Sequence, residues 1–140
     1  MAETVILSVG LDPLNLYARE AVLRSEGYIV VSAMSIKEAY HLFENGDFDL
    51  MILGRTLAAR DRERLTCLIR ASGSRIPIAS IASTPWEQSV FSDAILPDDP
   101  IELAAGIREL LARRFELAAL ESSPARGSLL PVTAPVASRV

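Results

Sequence analysis

Short apolar, β-branched runs alternate along this chain with stretches whose apolar positions recur every three or four residues, a pattern that predicts strands and helices in turn. Val5-Ile6-Leu7-Ser8-Val9, stopped by Gly10, suits a strand buried on both sheet faces. After Asp12-Pro13, the positions Leu14, Ala18, Ala21 and Val22 fall at helical spacing, and Gly27 supplies the stop. Tyr28 to Ala33 is a second β-rich run. In Ser35-Ile36-Lys37-Glu38, Ser35 can cap a helix and Glu38 can reach back to it; Ile36, Ala39, Leu42 and Phe43 then form one apolar stripe. Asn45-Gly46, residues tolerant of left-handed geometry, end that helix, and Phe48 to Leu53 is the third strand.

The second half repeats the alternation. Ala59 to Ala71 carries Leu65, Leu68 and Ile69 on one side, and the charges of Arg60, Asp61, Arg62, Glu63 and Arg64 predict a solvated face opposite. Ser72-Gly73-Ser74 breaks it, and Ile76 to Ala82 predicts a fourth strand with Pro77 near its start, where a missing donor costs least. Thr84-Pro85-Trp86-Glu87 predicts a short capped helix, and Ala94-Ile95-Leu96 a brief fifth strand. Asp99-Pro100-Ile101-Glu102 combines a cap, a first-turn proline and a reach-back glutamate; Leu103, Ile107, Leu110 and Leu111 form the buried stripe of a helix that continues to about Leu120.

Parallel strands need crossovers, and crossovers place helices on both faces, so this order predicts a flavodoxin-like, doubly wound α/β domain with a five-stranded parallel sheet over residues 1–120. The prolines, serines and alanines of residues 121–140 read as a flexible C-terminal tail. In such sheets ligands sit outside the carboxyl ends of the strands, which gathers Gly10-Leu11-Asp12, Gly54-Arg55 and Ala82-Ser83-Thr84 around one crevice.

Composition narrows the function. Of the 140 residues, 50% are hydrophobic and 23% charged, the balance of a chain that builds a core. All 18 acidic residues lie at or before Glu121, against 12 of the 14 basic ones, so the body carries a net charge of −6. That sign disfavours nucleic acid as a partner, because phosphate tracking needs clustered Lys or Arg. Cys67 is the only cysteine, which excludes an intramolecular disulfide or a Cys-based zinc site; its simplest role is core packing. Apolar runs are strand-length, and Met1-Ala2-Glu3-Thr4 lacks a basic leader start, so no membrane partner and a cytoplasmic location are expected. His41, on the polar side of the second helix, reads as solvated surface.

The element order, Asp12-Pro13, the run Asp49-Leu50-Met51-Ile52-Leu53-Gly54, Ile76-Pro77-Ile78 and Pro97-Asp98-Asp99-Pro100 together resemble the response-regulator receiver domain family, over roughly Thr4 to Arg114. The resemblance implies a CheY-like fold and a place in two-component, phosphorelay signal transduction. It also implies a degenerate member, a pseudo-receiver. The family's metal-binding acidic pair aligns with Gly10 and Leu11, its phospho-accepting aspartate with Gly54, its switch hydroxyl with Ala82 and its lysine with Leu96. Metal, nucleophile, hydroxyl and lysine act as one electrostatic unit. Their loss predicts no catalysis, no cofactor and no metal, and a protein-protein interaction module that works without phosphorylation.

Two other readings stay open: a conventional phosphorelay regulator using a displaced acidic residue such as Asp12, and a small-ligand sensor using the altered crevice. Only 12 residues separate Ala82 from Ile95, so the fourth helix is expected to be shorter than the family's, and Trp86, Phe91 and Ile95 are the candidate interface. Partial coiled-coil spacing of Ala104, Ile107, Leu111 and Ala118, with the pair Leu110 and Leu117, allows a homodimer through the last helix.

Overall fold

The computed structural model describes residues 3–82 and 92–121. The expected short helix at Thr84-Pro85-Trp86-Glu87 and the candidate interface residues Trp86 and Phe91 lie outside the described residues, as does the expected tail from residue 122. The described residues form five strands and four helices, in the order β1 (Val5–Val9), α1 (Pro13–Ser25), β2 (Ile29–Ala33), α2 (Ile36–Glu44), β3 (Leu50–Leu53), α3 (Ala59–Ala71), β4 (Ile78–Ile81), β5 (Ala94–Leu96) and α4 (Pro100–Glu121). The chain divides into two compact units, residues 1–110 and 111–140. The whole sheet belongs to the first.

The five strands pair in parallel in the order β2-β1-β3-β4-β5. The order reverses at β1 and β3, which makes the gap beyond their carboxyl ends the switch point where such sheets open a crevice. Leu7, Val9, Met51, Leu53 and Ile78 point to one face and pack with Ala39 of α2 and with Leu65 and Ile69 of α3. Alternation sends Ile6, Ser8, Leu50 and Ile52 to the opposite face, where α1 lies: its Arg19 reaches Ser8. Gly106 of α4 comes so near β5 that a Cβ there would stand 2.6 Å from Leu96 Cδ2.

Caps set the helix starts as the sequence predicts. Asp12 Oδ1 accepts from the Leu14 N–H at 3.1 Å, with Pro13 following, and Asp99 Oδ2 accepts from the Glu102 N–H at 3.0 Å. Ser35 accepts from the Glu38 N–H, while the Glu38 carboxylate reaches one residue further back than a capping box requires, to the Met34 N–H at 2.8 Å. Gly27 turns the chain at φ 95° and Gly73 at φ 92°. Asn45 caps α2 where the sequence predicts its end, at φ −106°, without using the left-handed region.

Several expected faces are corrected. In α1 the buried residues are Leu16, Arg19 and Leu23, whereas Leu14 is 80% exposed and Ala18 and Ala21 face outward. Alanines carry little weight in choosing a frame, and the three-four spacing of 16, 19 and 23 takes the sheet. In α3, Leu65 and Ile69 are buried as expected, but Leu68 is exposed and Arg62 is drawn inward, because position 62 shares a face with Leu65, Thr66 and Ile69. Cys67 is exposed rather than packed in the core. β3 starts at Leu50, two residues later than the apolar run, and β4 starts at Ile78, after Pro77. The stripe Leu103, Ile107, Leu110 and Leu111 of α4 is buried, and His41 is exposed.

Candidate functional site

The carboxyl ends of the parallel strands β1, β3, β4 and β5 lie along one edge of the sheet. Gly10 ends β1 and donates its N–H to Ala33 O of β2 at 3.0 Å, and Leu11, half exposed, donates to Thr56 Oγ1 at 2.9 Å. Thr56 therefore ties the loop after β3 to the loop after β1. A Cβ on Gly10 would meet the Leu16 side chain at 3.3 Å and that same hydroxyl at 3.4 Å, so any side chain there would press on Leu16 by a few tenths of an ångström. Leu11 turns outward with no carboxylate.

Gly54 follows β3 and donates its N–H to Val9 O at 2.8 Å. A Cβ built on it would stand 2.9 Å from Val9 O and 3.1 Å from Arg19 Nη2. The guanidinium of Arg19 thus lies where a side chain at position 54 would begin. Arg19 is only 5% exposed, and its Nη1 donates to Ser8 Oγ at 3.0 Å and its Nη2 to Asn15 Oδ1 at 2.7 Å. Both acceptors are neutral, and Nε finds none among the described residues. Burial pulls the guanidinium below its ordinary proton affinity; Asp98 opposes that shift and the nearby positive charge of Arg55 adds to it.

The charge of Arg55, next after Gly54, is met across the crevice: its Nε donates to Asp98 Oδ2 at 2.9 Å, with both side chains well exposed. Ala82 donates its backbone N–H to Leu96 O, pairing the ends of β4 and β5, and Leu96 is buried at 7% exposure. Ile95 is half buried in β5. Gly10, Leu11, Gly54, Ala82 and Leu96 are therefore all brought to the strand ends, while Asp12 is occupied as the α1 cap. Among the described residues no group of three His, Cys, Asp or Glu side chains is placed to hold a metal ion.

Arg19 is the site residue that the sequence reading missed. Its signal was present: it sits three residues after Leu16 and four before Leu23, in the middle of the buried stripe of α1. An arginine framed by two core leucines must either break the helix face or bury its head group, and it does the latter.

No family sequence model matches the chain, and no curated protein matches it by sequence. Solved structures do. The response regulator TrrA of Thermotoga maritima, in complex with Mg²⁺-BeF, is 22% identical with a TM-score of 0.68, over 76% of this chain and 98% of that one. A CheY-like receiver domain protein of Methanospirillum hungatei is 21% identical with a TM-score of 0.67, over 83% and 99%. A two-component response regulator from Clostridium difficile is 23% identical with a TM-score of 0.70, over 80% and 98%. Likeness at this identity speaks to architecture: the chain has the CheY-like, five-stranded receiver fold.

Proposed function

We propose that this protein is a pseudo-receiver: a non-enzymatic module of bacterial signal transduction that acts through protein-protein contact and takes up no phosphoryl group. The observation that carries the reading is the Arg19 guanidinium 3.1 Å from the Cβ position of Gly54. A phosphoryl acceptor must offer a carboxylate at that place, with a cation beside it to shield the transferred charge. Here glycine offers no nucleophile, and a fixed organic cation fills the neighbouring volume. Alkyl and backbone groups stand at Gly10, Leu11, Ala82 and Leu96, so none of these four positions replaces the lost function. The partner is a protein, either a different chain or a second copy of this one, and the setting is cytoplasmic.

Asp12 does not serve the displaced-acceptor reading well, because its carboxylate is already the cap of α1. Incubation with acetyl phosphate and Mg²⁺ followed by intact-mass measurement tests the proposal. The expected mass is unchanged; an acyl phosphate on any aspartate would refute it. Affinity capture with crosslinking, with and without the phosphodonor, then identifies the face used, and the captured set should be the same in both arms.

A further inference from the structure

We infer that the cleft between α1 and the first turn of α4 is a binding site for a small oxyanion, a carboxylate or a phosphate, held by Arg19 and Asn15. This goes beyond the pseudo-receiver reading and does not depend on it. The cleft has a volume of about 210 Å³ and is lined by Asn15, Ala18, Arg19, Val22, Asp98, Pro100 and Leu103. That is room for a short-chain acid or a phosphate ion with a few waters, since a cavity of about 150 Å³ already takes a benzene-sized guest.

The charge balance selects the ligand. Arg19 is 5% exposed, and a guanidinium offers five N–H groups. Nη1 donates to Ser8 Oγ and Nη2 to Asn15 Oδ1, and Nε has no acceptor among the described residues. A cation in so dry a place ordinarily has a carboxylate against it. Asp98 is the acidic residue in the lining, but its Oδ2 is engaged by Arg55 Nε at 2.9 Å, so its single negative charge is shared between Arg55 and Arg19. Arg19, Arg55 and Asp98 together leave one positive charge uncompensated. An oxyanion entering beside Asn15 would supply the missing counter-charge, while Ala18, Val22 and Leu103 would cover a short alkyl body. The positive end of the α4 dipole, at Pro100, borders the same space.

Butyrate and inorganic phosphate are the probes, titrated separately into the full chain and followed by amide chemical shifts. Saturable shifts centred on Asn15, Ala18, Val22 and Leu103 are expected, with a dissociation constant on the order of 1 mM, as befits a ligand of few atoms. Binding of butyrate alone assigns a carboxylate with an apolar body, and binding of phosphate alone or of both assigns a bare oxyanion. Arg19→Met should weaken binding by about 10-fold or more, the loss of a charged hydrogen-bond partner. Asp98→Asn should tighten it about threefold or more by removing a like charge from the wall. Ala18→Glu, on the exposed rim of α1 and outside the core, should abolish it without disturbing the fold, so the test survives if Arg19→Met does not fold. Absence of shifts with both probes, or equal binding by wild type and Ala18→Glu, would overturn the inference.

Discussion

Arg19 and Gly54 are a complementary pair: the helix residue delivers a guanidinium into the volume that the loop residue leaves by having no side chain, with 3.1 Å from Nη2 to the Cβ position. Val9 O, 2.9 Å from that position, is fixed by its bond to the Gly54 N–H and cannot retreat. Gly54→Ala should therefore cost about 1–3 kcal/mol as overpacking, read as a lower urea midpoint at unchanged slope. Gly54→Asp meets the same crowding but sets a carboxylate against an unpaired cation. It should be less destabilised than Gly54→Ala, and its intact mass should stay unchanged with acetyl phosphate and Mg²⁺. Equal losses for the two variants would mean that the guanidinium does not interact with position 54.

Asp12 offers a cleaner separation of cap from metal ligand, because Asn and Asp cap helices equally well but only one carries charge. The Asp12 Oδ1 to Leu14 N–H bond predicts that Asp12→Ala loses about 1 kcal/mol of stability while Asp12→Asn loses a few tenths at most. Neither variant, nor wild type, should gain stability from Mg²⁺. Thermal melts of all three with and without the ion decide the matter, and an Mg²⁺-dependent rise that Asp12→Asn removes would restore the displaced-acceptor reading.

The order of elements was legible because three of the four described helices start on their own chemistry, Asp12-Pro13, Ser35 with Glu38, and Asp99-Pro100, α3 having no side-chain cap, and each strand is a dense apolar run. The strand-tip residues followed from topology once β3 was placed, since parallel strands deliver their carboxyl ends to one edge. What the sequence concealed was rotational. α1 has apolar residues on more than one side, and the stripe Leu14, Ala18, Ala21 and Val22 competes with the buried one, although Leu14, Ala18 and Ala21 are exposed and Val22 is half-buried. The choice of Leu16 and Leu23 as the buried pair brings Arg19 under the sheet; their spacing is the one local signal for that rotation, and the competing apolar positions masked it. Arg62 was hidden the same way. A charged residue reads as exposed until its neighbours at three and four positions are counted with it.

Tyr28 contributes a loss of stability at alkaline pH. Its phenol is raised above the ordinary value near 10 mainly by burial, with Arg108 lowering it and Glu26 raising it. A raised acid holds its proton longer in the folded chain than in the unfolded one. Its stabilising contribution is therefore complete below pH 10.0 and is lost as the pH climbs from there through the folded value. Urea midpoints measured across that range should fall more steeply for wild type than for Tyr28→Phe, whereas the two should run parallel below it. In ultraviolet absorbance titrations, Tyr28 should ionise later in the native protein than in the denatured one.

Ser8 and Arg19 should show strong energetic coupling. The Ser8 hydroxyl is fully buried and accepts from Nη1 at 3.0 Å, so Ser8→Ala strands another N–H of a cation already short of acceptors. Hydrogen bonds to charged groups are worth about 1.5–3 kcal/mol, and Ser8→Ala should cost that much in the wild-type background. With Arg19→Met in place there is no cation left to strand, and Ser8→Ala should then be neutral or stabilising by up to about 1 kcal/mol, since it removes the unpaired hydroxyl. The double-mutant cycle, measured by urea denaturation, should thus give a coupling above about 1 kcal/mol. Additive losses would place the guanidinium away from Ser8, and with it away from the tip of β3.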